Sequence, residues 1–173
     1  IVRFFAGDLD PGLCDSARMI EQAYARGVPM GGEIGPGDAQ PRFLVSAQKD
    51  AGTPRSPGTD LQRIQIIEGW VAADGKAREK VFDIAGGADN GASVDLQNCE
   101  RVGRGMEQSC SVWEDPEFNS AEKAFYYVRI LENPTCRWST LQCQAAGVNP
   151  FARDCAAQAS VATARAQQDG ASG

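Results

Sequence analysis

Short apolar runs with a two-residue alternation, separated by turn-forming residues, dominate the hydrophobic pattern of this chain. Such alternation places every second side chain on one face of a strand, so each run predicts a strand that turns one face to a core. About seven short strands with loops between them are typical of an antiparallel β-sandwich. The predicted strands are 2–6, 43–48, 63–71, 76–84, 94–96, 110–113 and 123–132.

The clearest local signal is a β-hairpin in the middle of the chain. Residues 63–71 are rich in β-branched side chains, and Asp74-Gly75 is a preferred pair for a tight hairpin turn. Residues 76–84 are therefore predicted to return as the partner strand. Residues 123–132 form the longest apolar and aromatic run, which predicts a central strand that ends before Pro134.

The pattern predicts a mainly β, antiparallel β-sandwich-like module with one short N-terminal helix. That helix should be capped by Asp15 or Ser16 and should end near Arg26, before Gly27. The segments 27–38 and 50–60 are rich in Gly and Pro and predict loops. We expect one β-rich domain over 1–155 and, over 156–173, a helical or disordered tail that is poorly ordered.

Length and charge narrow the class of protein. The chain has 173 residues, and its net charge of -6 accompanies a sequence pI near 4.7. Nucleic-acid binding needs clustered Lys and Arg against phosphates, but the 17 basic residues here are scattered, so no nucleic-acid partner is expected. No apolar run approaches the roughly 18 residues of a membrane span, so no membrane-spanning segment is expected.

Histidine is absent from the sequence. It is the commonest general base near neutral pH and the commonest metal ligand among side chains. Its absence excludes Ser-His-Asp and Cys-His nucleophile arrangements and any zinc site that contains histidine. Carboxylate chemistry and oxygen-ligated metals stay open, but we assign no catalytic residue, no metal ligand and no cofactor to this chain.

Six cysteines, without a CxxC motif or histidines, favour disulfides in an oxidising compartment over a metal site or buried free thiols. The preferred bridge is Cys99–Cys110, since these residues flank a Gly-rich loop. At least two of Cys136, Cys143 and Cys155 should also pair. Cys14 is not expected to be a reactive thiol, because no histidine or other activating group accompanies it.

Several motifs have a structural interpretation that outweighs the functional one. The Gly-rich segment 27–33 has no Lys after it, so a structural loop is favoured over a phosphate loop. The segment 8–12 echoes the start of a calcium loop but has no Glu at the twelfth position, which favours a turn. Glu114, Asp115 and Glu117 could pair as acid and base, but a solvated loop face is expected.

Arg137 and Trp138 form the polar-aromatic pair with the most functional promise. Arg137 could bind a carboxylate or phosphate with two hydrogen bonds, and Trp138 could stack on a sugar or a peptide. These two residues are therefore the candidate substrate-binding residues. In the structural alternative, Trp138 caps the sandwich core and Arg137 packs along an aromatic ring or pairs with Glu132.

Three longer stretches carry a family resemblance: 27–32 (GVPMGG), 63–70 (RIQIIEGW) and 125–140 (FYYVRILENPTCRWST). Together with 2–7 (VRFFAG) and 113–118 (WEDPEF), their order and spacing resemble the C-terminal part of a bacterial family of proteins of unknown function, DUF3604. The resemblance covers roughly residues 1 to 145. Family members usually continue into a closing segment with Trp and Pro, whereas this chain continues into an Ala-rich stretch, so an open sheet edge is expected.

The resemblance implies a relationship to the PHP-type (polymerase and histidinol phosphatase) metal-dependent phosphoesterases. Their metal site, which would use a divalent metal such as zinc or manganese, lies in an N-terminal part that would precede Ile1. The chain opens as if inside a strand, so we expect a fragment of a longer protein. Family members are commonly exported, which agrees with the cysteines and implies a periplasmic or otherwise exported bacterial protein.

Three functional hypotheses follow. The first is a non-catalytic C-terminal module whose partner is the N-terminal catalytic domain of the same parent chain, which it stabilises or lines at the substrate entrance. The second is a free-standing glycan- or peptide-binding module that uses Trp138 and other aromatic residues. The third is a histidine-free enzyme with paired carboxylates in a cleft, roughly 5 to 10 Å apart if it were a glycosidase.

Overall fold

The computed structural model of this chain describes residues 1–35, 40–54 and 56–170. The chain divides into two compact units. The first unit contains Ile1–Asn90 and Arg104–Asn133, and the second contains Gly91–Gly103 and Pro134–Gly173. The expectation of a single domain over 1–155 stays a prediction, since this division does not test which part folds alone.

The regular elements of the described chain alternate between strands and three α-helices. In chain order they are β1 (Val2–Gly7), a 3-10 turn (Leu13–Asp15), α1 (Met19–Arg26), β2 (Gly27–Pro29), β3 (Arg42–Gln48), β4 (Gly52–Thr53), β5 (Ser56–Pro57), β6 (Leu61–Val71), β7 (Ala77–Gly86), β8 (Ser93–Val94), β9 (Arg101–Val102), β10 (Gln108–Glu114), β11 (Ala124–Glu132), α2 (Trp138–Ala145) and α3 (Cys155–Gly170).

Two antiparallel sheets form the first unit. One sheet has the strand order β10-β3-β1-β2, and the other has the order β11-β6-β7. Strands account for 38% of the chain and helices for 21%, so the predicted mainly β, sandwich-like fold is confirmed. The small β4–β5 hairpin lies within the predicted surface loop 50–60.

The core lies on both sides of β3. Phe43 and Val45 point to one side, where they pack with Ile64 and Ile66 of the second sheet. Leu44 points to the other side, where it packs in a cluster with residues of the 3-10 turn and α1. Successive side chains of a strand point to opposite faces. A strand that is covered on both faces therefore needs apolar side chains at consecutive positions.

The predicted hairpin is confirmed, but the predicted order of the second sheet is wrong in one respect. Gly75 has a φ of +76°, as a tight turn requires, and Ala72 N donates to Lys76 O at 3.0 Å.

The run 123–132 was expected to be central, yet β11 lies at the edge and β6 is central. The reason is burial: Ile66 and Ile67, which point to opposite faces of β6, are both fully buried.

The N-terminal helix starts later than expected. Its N-cap is Arg18, which makes no side-chain cap, while Asp15 belongs to the preceding 3-10 turn. Ser16 instead accepts a hydrogen bond at its Oγ from Arg18 N at 3.2 Å. The predicted end near Arg26 is confirmed.

The segment after α1 is not entirely a loop. Gly27–Pro29 forms β2, which pairs with β1 and adds the fourth strand to its sheet. Residues 36–38 of the predicted loop lie outside the described residues.

In the second unit, β8 pairs with β9, and two helices follow. The predicted strand 94–96 is shorter than expected, since Leu96 lies outside β8. Of the two alternatives for the tail, the structure shows the helical one: α3 extends over Cys155–Gly170. Residues 171–173 lie outside the described residues.

Two disulfides form, and neither is the expected Cys99–Cys110 bridge. Cys14 bonds Cys110 within the first unit, with an S–S distance of 2.08 Å. Cys99 bonds Cys136 within the second unit, at 1.97 Å. The prediction failed because closeness along the chain does not decide which cysteines meet: β10 carries Cys110 to the 3-10 turn, 96 residues away in sequence.

The expected pairing among the last three cysteines is also wrong. Cys136 is taken by Cys99, and the thiols of Cys143 and Cys155 are free. Cys143 lies in α2, whereas Cys155 begins α3. Disulfides as a class are nevertheless confirmed, and they are compatible with the expected oxidising compartment.

Candidate functional site

The candidate substrate-binding residues lie at the start of α2. Arg137 is the N-cap residue in an extended conformation, and Trp138 is the first helical residue. Trp138 is 71% exposed, so the interpretation that it caps the core is wrong. Both side chains are accessible to a ligand, and their role in binding stays a prediction.

The other two tryptophans are less accessible. Trp113 packs against Phe43 and Phe82, with ring centroids 5.7 and 4.8 Å apart, and Trp70 is half-buried. Trp138 is therefore the one exposed tryptophan of the three. The tryptophans therefore offer a single exposed ring to a ligand, and it is the ring beside Arg137.

The acidic segment after β10 contains one buried carboxyl, contrary to the expected solvated loop face. Asp115 is only 1% exposed, whereas Glu114 and Glu117 are exposed and pair with Arg42 and Lys80. Backbone turns hold the buried group in place, since Glu117 N donates to Asp115 Oδ1 at 2.9 Å. The expectation of solvation is therefore wrong for Asp115 alone.

Asp115 belongs to a cluster that joins the two sheets, which we call the carboxyl cluster: Glu68, Asp115 and Tyr126. The Tyr126 hydroxyl lies 2.8 Å from Asp115 Oδ2 and 3.1 Å from Glu68 Oε1. Glu68 comes from β6 and is 8% exposed. The phenol has one proton and cannot donate to both carboxyl groups at once.

The environment of the cluster raises the pKa of two of its groups. Burial, followed by the negative charge of Asp115, raises the pKa of the Glu68 carboxyl above its ordinary value. Burial, followed by the hydrogen bond to Asp115, raises the pKa of the Tyr126 phenol. A protonated Glu68 can donate a hydrogen bond that an ionised Glu68 cannot.

Sequence reasoning missed Glu68 and Tyr126, although the strand pattern contained a signal. Glu68 has the same parity in β6 as Ile64 and Ile66, which face the core, so an acid at this position predicts a buried carboxyl. Tyr126 lies directly opposite Glu68 in the β11–β6 register. An acidic residue at a core-facing position of one strand, opposite a tyrosine of the neighbouring strand, is the pattern that would have located Glu68 and Tyr126.

The carboxyl cluster is closed to substrate in this structure. A glycosidase-like pair needs both carboxyls in a cleft beside the bond to be cleaved, but Asp115 is almost fully buried. The cluster ties the two sheets together through the Tyr126 hydroxyl. The described residues contain no group of three or more His, Cys, Asp or Glu side chains that could hold a metal ion.

The second face of the three-stranded sheet, which we call the outer face, is apolar at its centre, and its side chains on the two flanking strands are partly exposed. Ile67 is fully buried there between Tyr127 of β11 and Val81 of β7, which lie opposite it in register. Tyr127 is 40% exposed and Val81 is 42% exposed. Phe125 and Val71, each 63% exposed, extend the apolar surface towards the hairpin turn.

One end of the outer face is polar and connected across all three strands. Arg129 Nε donates to Gln65 Oε1 at 2.7 Å, and Gln65 Nε2 donates to Asp83 Oδ1 at 2.6 Å. Arg63 Nε, on the same face, is buried and has no hydrogen-bond partner among the described residues. The face therefore combines an apolar centre with a polar end that still has donor capacity.

A shallow groove of about 350 Å³ lies at the hairpin end of the outer face. Phe125, Trp70 and Val71 provide an apolar lining, and Arg78 and Lys123 lie at its border. The Phe125 ring covers Gly69: a Cβ at that glycine would lie 2.3 Å from the ring. The glycine thus allows the aromatic ring to lie flat on the sheet.

These features define an antiparallel β-sandwich-like module with a buried carboxyl cluster and an exposed apolar sheet face. The family model described as "Protein of unknown function (DUF3604)" matches residues 1–167. The chain therefore belongs to the DUF3604 family, and the resemblance seen in its motifs is confirmed. Neither the curated proteins nor the solved structures contain a match to this chain.

The described part of the chain contains no helix that is long and apolar enough to cross a membrane.

Proposed function

We propose that this chain is a non-catalytic C-terminal accessory module of an exported PHP-like metal-dependent hydrolase, a phosphoesterase in class. Its partner is the N-terminal catalytic domain of the same parent chain. The module stabilises that domain or lines its substrate entrance. Family membership supports the first part of this proposal, and the two disulfides support export.

The outer face is the observation that carries the accessory role. An exposed apolar patch with a polar border is typical of a surface that contacts another protein. The half-exposed side chains around Ile67 would gain further burial against a second domain.

A charge in the centre of the outer face tests the proposal in the full-length parent protein. Val81→Lys should lower the thermal stability of the catalytic domain, because the ammonium would have to be desolvated in the interface. Val102→Lys is the matched control: it is the same substitution at a 51% exposed valine of β9. Equal effects of both substitutions would contradict the role of the outer face.

Deleting the module tests the broader claim. A parent protein without residues 1–173 should lose activity, thermal stability or both. Full activity together with unchanged stability of the truncated parent would overturn the accessory role.

A free-standing extracytoplasmic glycan- or peptide-binding module is the second candidate. Two observations favour it: Trp138 is exposed beside Arg137, and the exposed rings of Phe125 and Tyr127 stand nearly parallel, with an angle of 15° and centroids 6.4 Å apart. Aromatic faces of this kind can stack on sugars or peptides. Titration with oligosaccharides, followed by tryptophan fluorescence of the chain and of Trp138→Ala, would decide for or against this function.

A further inference from the structure

β11 is an open edge of the β11-β6-β7 sheet. β11 has nine residues and pairs on one side with β6, and among the described strands none pairs with its other side. Every second backbone N–H and C=O of an edge strand points outward, ready to pair with another strand. The edge is therefore a long unsatisfied ladder of hydrogen-bonding groups.

The other long edge of the same sheet has the features that discourage strand pairing. β7 contains four charged side chains and a register irregularity opposite Ile64 and Gln65. Its far side also meets β10, since Ser111 Oγ donates to the Ile84 carbonyl at 3.5 Å. Charges, bulges and coverage are the ordinary protections of an edge strand.

β11 has almost none of these protections. It contains no proline and no lysine, and its register with β6 is regular up to Leu131. The guanidinium of Arg129 is directed along the sheet to Gln65, so it does not shield the edge. Phe125 and Tyr127 leave apolar surface exposed beside the unpaired backbone.

We propose that β11 pairs antiparallel with β11 of a second copy of this chain, with Val128 opposite Val128 on a two-fold axis. This register places Phe125 opposite Leu131 and Tyr127 opposite Arg129, each pair on the outer face. The Phe125–Leu131 pairs are apolar contacts, which stabilise antiparallel strands, and the Tyr127–Arg129 pairs bring no like charges together. Because the axis repeats each pair, the interface is isologous and closed.

Charge and apolar contact select this register over its neighbours. In an antiparallel pair, opposite residues share a face, so the register can shift only by steps that keep the faces matched. A shift one way places Arg129 opposite Arg129. A shift the other way places Phe125 opposite Arg129 and leaves Leu131 without a partner in β11. Like charges directly opposite each other destabilise a sheet, whereas the Val128-centred register contains none.

The resulting dimer has a six-stranded sheet with the order β7-β6-β11-β11-β6-β7. It uses the edge of β11 and leaves the centre of the outer face, around Val81, uncovered. The pairing is therefore independent of the proposed docking to a catalytic domain.

Opposite charges at one position test the pairing. In Tyr127→Lys, the new ammonium of each copy lies opposite Arg129 of the other copy, so the dimer contains two such like-charge pairs. Their repulsion should raise the dimer dissociation constant by about twofold to thirtyfold. In Tyr127→Glu, the carboxylate faces the same guanidinium, which should lower that constant relative to Tyr127→Lys by at least as much. Both constants are measured by sedimentation equilibrium up to about 1 mM protein.

Val81→Lys is the matched control, because Val81 lies opposite Ile67 from the other edge and is exposed to nearly the same extent as Tyr127. It should leave the dissociation constant unchanged. Circular dichroism shows whether each variant is folded. The unsubstituted chain adds a second readout: its β11 amides should exchange with solvent more slowly at high protein concentration than at low concentration.

Three results would each overturn the proposal. The first is a chain that stays monomeric up to the highest concentration, with β11 amide exchange independent of concentration. The second is an equal loss of dimer in Val81→Lys and Tyr127→Lys, which would indicate packing through the outer face. The third is an equal effect of Lys and Glu at position 127.

Discussion

Replacing Glu68 with glutamine should make the protein more stable than the unsubstituted chain at neutral and alkaline pH. In the folded protein Glu68 shares the Tyr126 hydroxyl with Asp115, and burial raises the pKa of its carboxyl. An ionised Glu68 therefore places a second negative charge in a buried cluster. The glutamine amide is neutral, has nearly the same shape and can donate to Asp115 as a protonated carboxyl would.

The sign of the pH dependence follows from the raised pKa. A carboxyl with a higher pKa in the folded than in the unfolded chain contributes fully to stability below its unfolded pKa, which is about 4.3 for Glu. That contribution is lost as the pH rises through the folded pKa. In this interval the unsubstituted protein should lose up to about 1.4 kcal/mol per pH unit from Glu68, and Glu68→Gln should lose nothing from this position.

Other charged and polar groups around the cluster also contribute to stability. Glu117 follows Asp115 and pairs with Lys80 of β7, and Gln40 donates to the Asp115 carbonyl. These groups are the same in both proteins, so their contributions cancel in the difference. At about pH 8 the variant should be more stable by on the order of 1–3 kcal/mol, the cost of a buried polar group without its partner.

Urea unfolding at several pH values between about 4 and 8 measures this difference. Trp113, which packs against Phe43 in the core, provides the fluorescence signal. Glu79→Gln on β7 is the control, because Glu79 is exposed on the same sheet. If Glu68→Gln and the unsubstituted chain lose stability in parallel as the pH rises, the pKa of Glu68 is not raised by folding and the reasoning fails.

Two further predictions concern the first unit. Cys14→Ala should lower the free energy of unfolding by up to about 4.7 kcal/mol, because its bridge to Cys110 closes a loop of 96 residues in the unfolded chain; non-reducing peptide mapping that finds Cys110 bonded to any other cysteine would contradict the pairing. Gly69→Ala should cost about 1–3 kcal/mol in urea unfolding, because its Cβ would displace the Phe125 ring. Gly69→Ala introduced into the Phe125→Ala variant should cost much less. Equal costs of Gly69→Ala in the unsubstituted chain and in Phe125→Ala would show that the Phe125 ring is not the cause.

The candidate site was only partly predictable from the residues. Arg137 and Trp138 stood out because a charged and an aromatic side chain follow a strand directly, and both are in fact exposed. Asp115 could not be recognised as buried, since its burial depends on Tyr126 and Glu68 from two distant strands. The outer face was hidden for a similar reason: Phe125 and Tyr127 look like core residues until β11 is known to lie at an edge.

The sequence by itself determined the mainly β class, the β6–β7 hairpin, the helix that ends at Arg26 and the family. These features depend on side-chain alternation, turn chemistry and motif order, which act over a few residues. Only the tertiary structure decided which strand is central, which cysteines meet and which acid is buried. Each of these depends on contacts between residues far apart in the chain, such as Cys14 with Cys110 and Glu68 with Asp115, and local preferences carry no information about them.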